Sequence, residues 1–406
     1  MIQIKRLFIC ISASLSCILS YAQHSTSSPY SMIGIGEIDT RTYGLNGGMA
    51  NAGIGLYVKN FLNNSNPATL IVDSLAFIFD VSLGSSFSQF SSAGITENAK
   101  NANIKKVAFG VKLFPRFTLS GGITPFSNVQ YKIHTTADVE GGNSEKYDLY
   151  YDGSGGLTKA YLSGSYKLLP NLRVGASASY LFGRINRTES LVSHSVSTAS
   201  EVDEILMDFG LIYNKAISNA TNISAGLTYS YESQIKMKNY TTYSMSGETD
   251  VKSSTYTSLP HSIGAGAALQ TVRGRSYGVF SIDYRFGNWA SIKSPDQRMH
   301  YANNHRINAG LAYVPNYRTP RNYFQRIQYQ AGGYGEISNL IINGNRLMET
   351  GFTVGAVFPI KNNYSQIYFS ADFGSRGGKG LINENYIRLN VGVSINQTWF
   401  LKWQYD

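Results

Sequence analysis

Apolar and polar residues alternate with a period of two along most of the chain after residue 22. Near the C-terminus, Ile387, Leu389, Val391, Val393 and Ile395 fall on one face, and Arg388, Asn390, Gly392, Ser394 and Asn396 on the other. Leu172, Val174, Ala176, Ala178, Tyr180 and Phe182 likewise oppose Arg173, Gly175, Ser177 and Ser179. Ile367, Phe369, Ala371 and Phe373 oppose Tyr368, Ser370, Asp372 and Gly374, and Phe117, Leu119 and Ile123 oppose Arg116, Thr118, Ser120 and Thr124. This period predicts β-strands. The second face, small, polar and glycine-rich, decides the class. A soluble barrel packs large apolar side chains inside, whereas a large membrane barrel has an apolar outside and a polar lumen.

The connections point the same way. Short junctions fall at 114–116, 169–171, 218–220, 273–274, 315–316 and 359–363. Longer polar stretches lie between them, at 91–101, 136–146, 190–200, 241–252, 287–303, 338–345 and 375–383. Short periplasmic turns alternating with longer external loops mark an outer-membrane barrel. Six short and seven long connections join fourteen strands, and the even number leaves both ends periplasmic. Several expected strands exceed the 9–11 residues or so that cross a bilayer, so some should project beyond it.

The ends of the chain read differently. Residues 1–22 have the form of a Sec signal peptide: Lys5 and Arg6, an apolar run from Leu7 to Leu19, and small residues at Ser20-Tyr21-Ala22. Cleavage there would remove Cys10 and Cys17, the chain's two cysteines, so the mature protein would hold no disulfide. It would also remove two cations, taking the formal charge from +10 to +8. Residues 23–73 are too glycine-rich for a helical domain and long enough to fold into a lumen as a hatch. The barrel is expected over 74–397. Residues 398–406 form an aromatic end, with Trp399, Leu401, Trp403 and Tyr405 on one strand face. That end suits either a terminal strand at the membrane interface or a periplasmic tail.

Composition sharpens the picture. Only 15% of residues are charged, against 43% hydrophobic with 29 Tyr and 20 Phe. Disorder, collagen and disulfide scaffolds are excluded, and a lipid-facing wall accounts for the missing charge. The basic surplus has no dense Lys/Arg cluster with interleaved aromatics, so nucleic acid is not an expected partner. Anionic outer-membrane lipid, lipopolysaccharide included, is a better one.

Catalytic and metal chemistry finds no foothold. The six histidines are scattered, Gly374-Ser375-Arg376-Gly377-Gly378-Lys379-Gly380 fails the phosphate-loop spacing, and no G-x-S-x-G elbow is present. No cofactor and no enzymatic activity are expected. The 374–380 stretch reads as a mobile external loop with two cations. Gly153, Gly155 and Gly156 read as a bulge or kink in the wall. Arg173, Asp283, Arg285, Arg306, Asp372 and Arg388 should point into the lumen as a polar network. Asp73-Ser74-Leu75 matches a short O-glycosylation signal.

Ser28-Pro29-Tyr30-Ser31, Gly34-Ile35-Gly36, Gly44-Leu45-Asn46-Gly47-Gly48-Met49-Ala50 and Asn66-Pro67-Ala68 together resemble the N-terminal region of FadL-like outer-membrane proteins. The resemblance implies an all-β, fourteen-strand barrel plugged by an N-terminal hatch, with Gly47, Gly48, Asn66, Pro67 and Ala68 as hatch motif residues. It implies two kinds of role. Some relatives pass fatty acids or aromatics through the outer membrane. Others serve as docking parts of type IX secretion, and the fold suits accessory subunits of barrel-assembly complexes. The loops favour docking, because 136–146, 190–200 and 241–252 lack the apolar run of a hydrophobic-capture groove. Other outer-membrane or periplasmic proteins are therefore the expected partners, and a small hydrophobic molecule is the alternative.

Overall fold

The computed structural model describes residues 28–398, apart from 73–75, 93, 139–145, 192–193, 245–247, 293–298, 319–321 and 361–364. The expected signal peptide, the glycosylation match and the expected Trp399–Tyr405 face lie outside the described residues.

One antiparallel sheet closes into a fourteen-strand barrel. In chain order the wall strands are β1 (Ala76–Ser92), β2 (Ile95–Phe114), β3 (Phe117–Asn128 and Tyr131–Asp138), β4 (Lys146–Leu169), β5 (Leu172–Leu191), β6 (His194–Ser218) and β7 (Thr221–Ser230 and Ser233–Ser244). They continue with β8 (Glu248–Leu259 and Ser262–Arg273), β9 (Ser276–Gly287), β10 (Met299–Tyr301 and Asn304–Val314), β11 (Gln328–Ile342), β12 (Asn345–Pro359), β13 (Gln366–Gly377) and β14 (Asn383–Thr398). The last strand pairs with the first, from Asn383↔Ser91 to Thr398↔Ala76, and this ladder closes the wall.

The alternation sorts as its chemistry demands. Ile387, Val391 and Ile395 are exposed to the outside, while Asn390 and Ser394 are buried within. On β6 the outward residues Ile205, Met207, Phe209, Leu211, Tyr213 and Ile217 form an apolar belt next to the short-turn end. Above it the same strand turns polar. Asp203 pairs with Lys238 at 2.9 Å, and Glu201 lies 3.7 Å from Arg184. At 25 residues β6 runs roughly 80 Å, about twice what a tilted strand needs to cross ~30 Å of hydrocarbon.

This geometry corrects the expected loops. Ile95–Asn101 belongs to β2, Thr136–Asp138 to β3, His194–Ser200 to β6, and Ser338–Ile342 to β11. The polar stretches are strand extensions in water, where neither face needs to be apolar. Hydroxyl and amide ladders hold the extensions of β5–β8 together: Thr188 to Ser197 at 3.0 Å, Ser200 to Asn239 at 2.7 Å, and Asn239 to Thr255 at 3.0 Å.

One seam departs from closure. The β2–β3 ladder runs only from Val107↔Ile123 to Phe114↔Phe117. Above it, Ile95–Lys106 and Thr124–Asp138 share no pairing among the described residues. The inner segment takes over instead. Its two-residue strand Glu37–Ile38 pairs with Asn128 and Ser127, and Asp39 N donates to Phe126 O at 2.9 Å. The upper part of β3 is thus drawn onto the hatch, and a side gap opens beside β2.

Candidate functional site: the hatch seat and the side gap

Residues 28–72 fold inside the barrel with little regular structure beyond three short 3-10 turns at Pro29–Met32, Gly47–Met49 and Pro67–Thr69. Their backbone polar groups must therefore be met by the wall. Asn66 Oδ1 accepts from Ala68 N at 2.9 Å, capping the Pro67–Thr69 turn. Its Nδ2 donates to Ile54 O at 2.8 Å and to Leu211 O of β6 at 3.1 Å. Thr353 accepts from Ala50 N and donates to Gly48 O, both at 2.8 Å. Asp283 Oδ2 accepts from Gly53 N at 2.6 Å and Ile54 N at 2.9 Å.

The glycine face of the wall is the surface on which this segment sits. A Cβ on Gly210 would fall 2.0 Å from Asn66 Oδ1, and one on Gly175 2.4 Å from Ala68 N. From the other partner, a Cβ on hatch Gly48 would fall 2.6 Å from Gly355 Cα, and one on Gly47 2.5 Å from Ser370 Oγ. The hatch motif residues Gly47, Gly48, Asn66, Pro67 and Ala68 are thus in backbone-level contact with β5, β6, β12 and β13.

The six expected lumen charges all face inward but do not form one network. Arg173 donates to Leu70 O at 3.1 Å and Ser165 Oγ at 3.2 Å. Arg285 reaches Thr40 O and Ser65 Oγ of the hatch. Arg306 pairs with Glu336 at 2.6 Å over the Tyr334 ring. Asp372 and Arg388 belong to a larger group. Arg388 meets Glu349 at 3.2 Å and Asp372 at 3.6 Å. At its centre is Arg376, which contacts Glu37 at 2.9 Å, Glu384 at 3.0 Å and Ser28 Oγ at 3.0 Å.

Arg376 corrects the sequence reading. It is not a cation of a mobile external loop. It lies in β13, 6% exposed, and ties the hatch to the wall. The glycine before it on the inner face, Gly374, is not a loop residue either, since its missing side chain leaves room for the Tyr386 ring. Glu349 and Glu384 fall on inward alternation positions, so strand parity could have identified them. A further buried set joins Lys106 to Asp80 at 3.6 Å and Leu62 O at 2.7 Å.

Two hatch carboxylates carry perturbed acidity. Burial alone would raise both. Arg41 and Lys105 instead hold Asp39 well below the usual carboxylate range, and Arg376 with Arg388 lowers Glu37.

The side gap meets two different interiors. Toward β4–β8 lies an apolar cluster of Val129, Leu157, Leu181, Ile185 and Ile235, capped by hatch Ile35, with the wall residues at 0–1% exposure. Toward β1, β2, β13 and β14 lies a polar hollow lined in part by Glu37, Asp39, Asn101, Asn103, Lys105 and Arg388. The three wall glycines lie on β4, on the side of β3 away from the gap, opposite the break in β3 after Asn128. Gly155 and Gly156 have φ of 103° and 152°, and Val129 N donates to Gly155 O at 2.9 Å. Gly153 gives its space to the Tyr131 ring. The discontinuity itself is in β3, while β4 runs unbroken through the glycines.

A fourteen-strand wall, an apolar belt and a hatch-filled lumen define a FadL-type outer-membrane barrel. Solved structures agree on the fold. The chain is similar to CymD, a monoaromatic hydrocarbon channel, at 13% identity and a TM-score of 0.58 over 89% of this chain and 99% of that one. It is similar to the Pseudomonas putida toluene transporter TodX at 14% and 0.57, over 90% and 100%. A Pseudomonas aeruginosa FadL homologue matches at 11% and 0.58, over 89% and 99%. No curated protein matches the chain. The family model of BamG covers residues 1–406, and the chain belongs to the BamG family.

Proposed function

We propose that this barrel is a non-enzymatic accessory subunit that docks other proteins in an envelope-assembly or secretion machine of the Gram-negative outer membrane. The filled lumen carries this reading. Ile35 occupies the apolar cluster that a hydrophobic ligand would need, and Val129, Leu181, Ile185 and Ile235 have no exposed surface. The hollow beside the gap has Glu37, Asp39, Lys105 and Arg388 in its lining, and a hydrocarbon there would strip water from these charged groups without replacing it. The projecting strands β5–β8 add a rigid polar surface with exposed Tyr240, Tyr243 and Tyr256, the residue types that protein interfaces favour. Membership of the BamG family fits an accessory role.

A second reading is passive transport of small hydrophobic molecules, which is what CymD and TodX are described as doing. In its favour is the apolar cluster bordering the side gap. It requires Ile35 to leave that cluster.

Native purification from membranes, with mass spectrometry of proteins and lipids together, separates the two. A docking subunit brings stoichiometric partner proteins and no bound acyl chain. Stoichiometric fatty acid without a partner protein would overturn the docking reading.

A further inference from the structure

The side gap leaves two strand edges facing one another without a ladder. Among the described residues, Ile95–Asn103 of β2 pairs with β1 on one side only, and Tyr131–Asp138 of β3 pairs only with β4. About four residues on each edge aim their backbone N–H and C=O groups into the gap. Water can hydrate these groups, yet an unpaired edge of this length remains a template for another strand. The two edges do not zip together, because the hatch holds β3 away. Glu37–Ile38 occupies Asn128 and Ser127, and Gln130 N donates to Ser31 Oγ at 3.1 Å.

We propose that this gap is a docking slot for one extended strand of a second protein, which pairs with the free edge of β2. The inference rests on the docking reading above and names its site. An unpaired edge is met along its whole length only by another extended backbone, the basis of strand addition. The floor of the slot is polar, with Asn101, Asn103 and Lys105, so it suits a peptide better than an acyl chain. Outward-facing cations flank it. Lys100 on β2 lies against the Phe87 ring and Lys132 on β3 is exposed. Glu97 pairs with buried Phe90 and so belongs to the lumen face. The incoming strand is therefore expected to carry carboxylates on its outward face.

The test uses the full chain in its native membrane, with the photocrosslinker p-benzoylphenylalanine replacing Asn98, Lys100 or Lys132 one at a time. Controls place it at Leu227 and Ile307 on the lipid belt and at Tyr256 on the projecting strands. Heat-dependent gel mobility verifies that each variant folds. The slot predicts adducts from Asn98 and Lys100 to a single protein, at sites two residues apart in that protein, the signature of a paired strand. The double change Lys100→Glu with Lys132→Glu should lower that yield about fivefold, the effect of two rim ion pairs. Lipid adducts alone at Asn98 and Lys100 overturn the proposal, as do protein adducts without the two-residue step. If Tyr256 captures a protein in those cases, docking survives and only the slot fails. If no position captures a protein and none co-purifies, the docking reading falls with it.

Discussion

Asp283 offers the cleanest test of how the hatch is held. Its carboxylate is 1% exposed and accepts two backbone N–H groups, from Gly53 and Ile54. Hydrogen bonds to a charged group contribute about 1.5–3 kcal/mol each. Asp283→Ala removes the shared acceptor Oδ2 and leaves two buried donors unmet, so hatch seating should weaken by about 3 kcal/mol at the lower figure. That is roughly a hundredfold in the opening equilibrium. The wall ladder is untouched, because Asp283 lies in β9 between β8 and β10 and its backbone pairing does not depend on the side chain. Amide hydrogen exchange reads both regions at once. Amides around 53–55 should exchange about a hundred times faster in Asp283→Ala, while those of β9 keep their protection. Asp283→Asn retains an oxygen at the same place and should fall between wild type and Ala. Unchanged exchange at 53–55 in the Ala variant, or equal effects of Ala and Asn, would refute the seating argument.

Further predictions concern the seat, the acid response, the apolar cluster and the wall. Gly210→Ala should displace the Asn66 turn at a cost of about 1–3 kcal/mol from overpacking, whereas Gly335→Ala, with open space at its Cβ, should be neutral; proteolysis of the hatch compares them. Glu37 and Asp39 titrate below their ordinary values, so their stabilisation is complete above pH ~4 and is lost only as pH falls through the lowered values. Hatch protection should therefore be flat from neutral pH to about 5 and drop in stronger acid; loss already between pH 7 and 6 would contradict the assignment. Ile35→Ala should empty part of the apolar cluster, destabilise the hatch by roughly 2–5 kcal/mol and create binding for an apolar fluorescent dye. Equal dye binding by wild type would favour transport. The intact barrel should resist SDS at room temperature and shift mobility on boiling; an unchanged mobility would argue against a closed wall.

The wall was legible because lipid and lumen impose opposite chemistries on alternate residues. Ile387 and Arg388, or Val174 and Arg173, declare their sides by type alone. That signal ends where the bilayer ends. Ser91–Asn101 and Ser190–Ser200 look like loops because both strand faces there are wet. The hatch was legible as glycine-rich and non-helical, and Asn66-Pro67-Ala68 marked its most fixed turn. Its partners were not visible. Arg376 looked like a loop cation because glycines surround it, yet Gly374, on the same inner face, makes room for the Tyr386 ring. Its tie to Glu37 spans 339 positions of sequence, a pairing no local pattern encodes. The side gap was equally hidden, since most of Ile95–Asn103 reads as a polar connection and nothing in it marks a strand that lacks a neighbour.

The distance along the chain between hatch and seat also fixes an order of events. Ser28 donates to Glu384, 356 residues further on, and the seat on Gly210, Gly355 and Ser370 is built from strands across the whole wall. This segment is synthesised before the wall strands, yet it can reach its final place only after the last of them has arrived. Contacts of such separation are the slowest to form, because each must close a very long loop. Until β14 meets β1 the hatch has no complete cradle, and the barrel must close around a segment that is not yet fixed. Seating of the hatch is therefore the finishing step of this protein's own assembly, and a seated hatch reports that every wall strand is in register.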